Sequence, residues 1–230
     1  MRGLVSLLVL LIVSLLVHRG PATQSSALID VSWPNCGKYV PASSAGIIGV
    51  TGGLSFHKNP CISEQASKFK TISVYVNTGY PGQDRAKKYA NNPKHCALSD
   101  ETCLAYNYGY QAAQYAANYT LLSAITPNFW WLDVEFANSW SDNANINRAA
   151  LTGMQDASAK LVSKDNIGYY SYPFQWGIIT NNWHNYYPVW VATGSTKRTE
   201  ALNACGQSFT GGPVIMTQYT KNFDQNIICK

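Results

Sequence analysis

Two carboxylates spaced i, i+2, Asp133 and Glu135, close the apolar run Trp130-Trp131-Leu132-Asp133-Val134-Glu135 in a chain of 230 residues with 12 acidic ones. Side chains of a strand alternate between its faces, so a strand here projects both carboxyls to one side at its carboxyl end. Two carboxyls sharing a cleft are driven to different pKa values, one holding a proton and one staying charged. That division of labour is what acid-catalysed cleavage of a glycosidic bond requires. A D-x-E pattern alone also fits a solvated strand end, so the rest of the chain must decide. Asp30 interrupts the apolar run Leu28 to Trp33, where an unpaired charge is costly to bury. Asp224 follows Gln218-Tyr219-Thr220 within Phe223-Asp224-Gln225-Asn226; its Asp-x-Asn pattern also suits a turn that satisfies backbone donors.

The elements that would position these groups are runs rich in apolar, β-branched and aromatic residues: Leu28 to Trp33, Ala45 to Thr51, Thr71 to Thr78, Phe129 to Glu135, Ile167 to Tyr172, Pro188 to Thr193 and Pro213 to Tyr219. An eighth spans Phe223 to Ile228. Helical patterns lie between them, the clearest being Tyr108 to Ile125 and Asn145 to Lys164. The second places Ala150, Met154, Ala157 and Leu161 on one stripe. Near-continuous hydrophobic strands alternating with helices predict an α/β fold with a parallel sheet covered on its outer face, most simply a closed eight-stranded barrel. An open doubly wound sheet lacks its signature, because Gly49-Val50-Thr51-Gly52-Gly53 only imitates G-x-G-x-x-G and reads as a turn.

Arg2, the apolar run Leu4 to Val17 and the stretch His18 to Ala22 have the order of a signal peptide. The run is shorter than the roughly 20 residues a membrane span needs. Residues 1–22 are therefore expected to be removed and residues 23–230 to form one domain, secreted, extracellular and without a membrane anchor. Without Arg2 and Arg19 there remain 15 basic residues against 12 acidic, a formal +3. So mild and scattered a charge, with no basic stripe interleaved with aromatics, argues against nucleic acid as a partner. Six cysteines in an exported chain predict three disulfides. Pairing by proximity along the chain joins Cys36 to Cys61, Cys96 to Cys103 and Cys205 to Cys229. No C-x-x-C pair is present and the four histidines lie far apart, so no metal site and no cofactor are expected.

Ile29-Asp30-Val31-Ser32, Leu132-Asp133-Val134-Glu135, Val189-Trp190-Val191-Ala192 and Gln218-Tyr219-Thr220 with Asp224-x-Asn226 stand in an order and spacing that resemble the glycoside hydrolase family 25 lysozymes, which are N-acetylmuramidases. The resemblance covers nearly the whole chain after residue 22. It implies an irregular TIM-like barrel of about five βα units followed by three further strands. It also implies cleavage of the β-1,4 linkage of N-acetylmuramic acid in peptidoglycan, or of a related amino-sugar polysaccharide. Carried over by position, Glu135 would be the general acid, and Asp133 would assist through the substrate's own acetamido group. Asp30 and Asp224 would complete an acidic floor, Tyr75 and Tyr170 would line the sugar site, and Trp190 and Gln218 would lie near its rim. The cysteines depart from the family pattern and mark a divergent, disulfide-bearing subgroup. Family 18 chitinases also end a strand in D-x-E, but they need a further Asp where this chain has Trp131.

The rival from another class is a carbohydrate-binding barrel without turnover, although a lectin needs no proton donor. Most of the 15 tyrosines read as packing or helix surface, and no G-x-S-x-G supports acyl transfer. Asn118-Tyr119-Thr120 is a glycosylation sequon on the outer face of a helix. A monomer is expected.

Overall fold

The computed structural model describes residues 28–229, and the predicted leader lies outside them. Eight strands close a barrel in chain order: β1 (Leu28–Val31), β2 (Ser43–Gly49), β3 (Phe69–Asn77), β4 (Trp130–Asp133), β5 (Ile167–Ser171), β6 (Val189–Ala192), β7 (Val214–Thr220) and β8 (Asp224–Ile228). Each falls on one of the eight predicted runs. Strands β1 to β7 pair in parallel. The last departs from the predicted parallel sheet, since β8 runs antiparallel to both β7 and β1. Only residues 221–223 separate β7 from β8, and a parallel return needs a crossover of about a dozen residues or more.

The connections carry α1 (Ile62–Ala66) after β2, α2 (Gln83–Ala86) and α3 (Glu101–Leu122) after β3, α4 (Ala144–Ser158) after β4, α5 (Pro173–Thr180) after β5 and α6 (Arg198–Asn203) after β6. Five strands thus lead into helices, as the five-unit barrel implies, but they are β2 to β6. After β1 comes only a 3-10 turn, Trp33–Asn35. Gly37 at φ +73° turns the chain out of helical conformation there.

Strand alternation divides the core. Trp130 and Leu132 of β4 pack outward in the main cluster, with Ala113, Leu151 and Met154 of the covering helices. Trp131 points into the barrel beside Ile47, Tyr170, Trp190 and Met216. Because Asp133 is two residues beyond Trp131, the same alternation turns its carboxyl inward. In β1, Ile29 and Val31 take the outer side and leave Asp30 to the inner one.

Helix α3 starts at Glu101 rather than Tyr108, because the Asp100 side chain caps it by accepting from Cys103 N at 3.0 Å. Helix α4 ends at Ser158 rather than Lys164, so Leu161, expected on the buried stripe, lies beyond the helix and is 49% exposed. Ser163 there caps a separate 3-10 turn, Lys164–Asn166. Gly109 of α3 lies against the Ala150 carbonyl and Gly153 of α4 against that of Tyr106, so closely that a Cβ at either would overlap the opposing backbone. Those two helices meet backbone to backbone.

The three disulfides pair as predicted, Cys36–Cys61, Cys96–Cys103 and Cys205–Cys229. The first ties the loop after β1 to the start of α1, the second fastens the first turn of α3, and the third anchors the end of β8 to the turn after α6. Asn118 is exposed on α3, while the Thr120 hydroxyl of the same sequon is buried and donates to Ala116 O at 2.8 Å. No helix among the described residues is long and apolar enough to cross a membrane.

Candidate active site

A cleft of about 460 Å³ opens at the carboxyl ends of the parallel strands, within the usual range for small-ligand sites. All eight residues singled out in the sequence line it: Asp30, Asp133, Glu135, Asp224, Tyr75, Tyr170, Trp190 and Gln218. Among the described residues no Lys or Arg lines it, so four of the 12 carboxyls in the chain face one another without a counter-ion.

Asp133 is the last residue of β4 and 2% exposed. Its Oδ2 accepts from Asn77 Nδ2 at 2.6 Å, and the Thr51 hydroxyl donates to Asn77 Oδ1 at 2.7 Å while accepting from Asn77 N at 2.9 Å. This exchange fixes which way the Asn77 amide faces. Asp133 Oδ1, by contrast, is buried and accepts from no amide or hydroxyl among the described residues. Its backbone is held by the Thr78 hydroxyl, which donates to Asp133 O at 2.5 Å. Glu135 lies just past the strand end and is half-buried. Trp140 Nε1 donates to its carbonyl at 2.8 Å, and the next residue's N–H, that of Phe136, donates to Gln175 Oε1 at 2.7 Å.

Burial holds the Asp133 carboxyl well above the ordinary carboxylate range, and the facing Glu135 raises it further against the opposing pull of the Asn77 amide. Burial also raises Glu135; the approach of Asp133 lowers it, and the charge of Asp224 raises it again. The two carboxyls stand within hydrogen-bonding reach of each other, so the proton they hold between them belongs to the pair.

Asp30 and Asp224 stand directly opposite each other in the β1–β8 register. Asp30 Oδ2 accepts from Asn226 Nδ2 at 2.7 Å and Gln218 Nε2 at 3.0 Å, and Tyr170 OH donates to Gln218 Oε1 at 2.7 Å. Burial, followed by the charge of Asp224, pushes Asp30 up to about 7 despite these two amide donors. Asp224 itself accepts from the Thr220 hydroxyl at 2.7 Å.

The Trp190 ring packs 4.4 Å from Tyr170 and 6.2 Å from Tyr75. Trp190 and Gln218 are both buried, so they belong to the floor rather than to the expected rim, because each faces into the barrel. The rim instead includes Trp33 and Tyr172, which sequence reading missed along with Ser32 and Asn77. Ser32 already stood in the quoted Asp30-Val31-Ser32 run. Asn77 had a usable signal as an amide two residues beyond Tyr75 on the same strand face; Trp33 had none, since it lies in an irregular loop. Among the described residues no three of His, Cys, Asp and Glu are grouped to hold a metal ion.

No family profile and no curated protein matches the chain. Among solved structures it is similar to a muramidase from Trichobolus zukalii at 13% identity and a TM-score of 0.50, over 87% of this chain and 92% of that one. It is similar also to a glycosyl hydrolase 25 protein of Streptococcus pneumoniae at 17% identity and a TM-score of 0.55, over 88% of this chain and 86% of the other. At these identities the likeness is one of fold, a barrel matched over most of its length.

Proposed function

We propose that this chain is a glycoside hydrolase of the family 25 lysozyme type, cleaving the β-1,4 linkage of N-acetylmuramic acid in peptidoglycan without metal or cofactor. The observation that carries the reading is the set of four carboxyls without a counter-ion at the carboxyl mouth of a closed barrel, two on one strand end and two across the β1–β8 seam. A site that only binds a glycan has no use for so much unpaired acid. The fold shared with a muramidase and a glycosyl hydrolase 25 protein supports the same reading.

Glu135 is the general acid. It is less buried than Asp133, and burial together with the charge of Asp224 favours its protonated form. Asp133 assists through the sugar's acetamido group. Its Oδ2 is already taken by Asn77 and no amide or hydroxyl donates to its Oδ1, so an acetamido N–H reaching Oδ1 supplies a donor to an oxygen that is costly to leave without one. That bond favours ionised Asp133 and leaves the pair's proton to Glu135, which donates it to the leaving oxygen. The acetamido oxygen, polarised by Asp133, closes on the anomeric carbon, and the remaining negative charge steadies the oxocarbenium-like transition state. Tyr75 and Tyr170 offer ring faces to the sugar.

Residues 1–22 act in this reading as a cleaved leader, residues 23–230 form a single secreted, extracellular domain without a membrane anchor, and the mature protein works as a monomer. Three disulfides suit such a compartment.

The test is to incubate purified protein with peptidoglycan and with chitin and to identify new reducing ends by mass spectrometry. New N-acetylmuramic acid ends are expected. Ends from chitin alone would move the substrate, and binding without new ends would make the protein a carbohydrate-binding barrel.

A further inference from the structure

A second depression of about 350 Å³ adjoins the cleft, and the two share one wall, Tyr172. It lies over the ends of β5 and β6 and is bounded by Phe174 of α5, Thr193, Asn203 at the end of α6, and Gln207. The Tyr172 ring is seated against Gly194, at φ +64°, where a Cβ would come within 2.9 Å of ring Cε1. A larger residue at position 194 would push the partition out of place.

Two features of this depression have no use inside the fold. Phe174 is 72% exposed, and it meets Phe136 edge-on, with centroids 6.1 Å apart and planes at 81°. Phe136 directly follows Glu135, so apolar surface runs from beside the acid to the depression. Across from it, the Asn203 and Gln207 side chains are exposed and make no hydrogen bond among the described residues. A bare ring facing uncommitted amides is the equipment that holds a pyranose, whose C–H face stacks on an aromatic ring while its hydroxyls and acetamido group take the amides.

We infer that this depression is an outer sugar subsite, holding a further ring of the glycan whose scissile bond lies at Glu135. The inference rests on the glycan-cleaving reading of the main cleft. The polymer crosses the Tyr172 partition, one of its rings stands on Phe174, and Asn203 and Gln207 bind that ring's polar edge. The subsite therefore selects for chain length rather than for the bond that is cut.

The experiment uses a series of peptide-free oligomers of alternating N-acetylglucosamine and N-acetylmuramic acid, with kcat/KM and Kd measured for each length. Phe174→Ala and the double variant Asn203→Ala with Gln207→Ala are compared with the parent protein, and Leu121→Ala on α3 serves as a surface control. The long-to-short ratio of kcat/KM, and the matching ratio of affinities, is expected to fall by about 3- to 10-fold in both site variants, the size of a stacking contact or a pair of hydrogen bonds. The control should keep the parent's ratio. Unchanged ratios in both site variants, or an equal loss at every length, would overturn the subsite. If the parent cuts none of the oligomers but binds longer ones more tightly through Phe174, the hydrolase reading fails and the subsite stands. If it neither cuts nor binds them, both fall.

Discussion

The two carboxyl pairs of the cleft are built in different ways and held by different partners. Asp133 and Glu135 belong to one strand end and are brought together by the two-residue repeat of a β-strand. Asp30 and Asp224 lie 194 positions apart by residue number and meet only because β8 turns back to close the barrel beside β1. The environments differ as well. Asp30 has two amide donors on a single oxygen, whereas Asp133 has one donor on Oδ2 and a buried Oδ1 to which no amide or hydroxyl donates. A carboxyl already supplied with donors suits a fixed part of the floor, and one with an oxygen short of donors is prepared for a ligand. On the proposed reading the chemistry falls to the β4 pair and its electrostatic setting to the seam pair.

The largest effect should come from the β4 pair. Glu135→Gln removes the donated proton at nearly constant volume and should lower kcat by about 10² to 10⁴, with circular dichroism unchanged. Asp133→Asn should be nearly as damaging, with the loss in kcat rather than KM. Near-normal turnover in either would dissolve the distinction between the pairs.

Next in size is the support behind Asp133. Asn77→Leu strips Oδ2 of its donor and should lower kcat by about tenfold or more. Thr51→Val frees the Asn77 amide to turn and should cost less. Thr51→Ser, which keeps the hydroxyl, should restore activity, and a Thr51→Ser variant as impaired as Thr51→Val would point to packing instead.

The pH profile separates the seam residues. Activity should peak on the acid side, and its alkaline limb reports loss of the proton held by the β4 pair. The charge of Asp224 raises Glu135 directly, while that of Asp30 bears on Asp133 and only after larger influences. Removing a negative charge lowers the pKa of the acid, so Asp224→Asn should move the alkaline limb to lower pH, and Asp30→Asn should move it less. The reverse order would place the electrostatic control on the other residue.

The smallest effect expected is on stability. Folding raises the pKa of Asp30 from 3.8 to about 7, so the folded state binds the proton more tightly than the unfolded one. Its stabilising share is complete below about pH 4 and is lost as pH rises through 7. Asp30→Asn keeps an acceptor for the two amides and removes the charge. Its Tm should therefore gain on the parent by a few degrees at pH 8 and by less at pH 4, measured by thermal denaturation at both.

Most of the strands were legible because each is a short apolar run bounded by polar or turn residues, β8 being the exception with Asp224, Gln225 and Asn226 at its start, and the alternation that directs Asp133 inward is a local property. Helix ends were less so. A cap such as Asp100 or Ser163 acts through one side chain at one position, and nothing in the periodicity of the flanking residues anticipates it. The α3–α4 contact was hidden for another reason: a glycine inside a helical pattern carries no local sign of the opposing backbone that meets it, as at Gly109 and Gly153.

By itself the sequence determined the alternation of strands and helices, the pairing of Asp133 with Glu135, and disulfides whose partners are close along the chain, since all of these depend on spacings of a few residues to a few tens. Only the tertiary structure decided that β8 runs antiparallel, that Asp30 therefore faces Asp224, that Asn77 and Thr51 brace Asp133, and that Trp190 and Gln218 lie in the floor. Those relations join residues distant in the chain, and their geometry follows from how a closed barrel brings strand ends together, which no local pattern encodes.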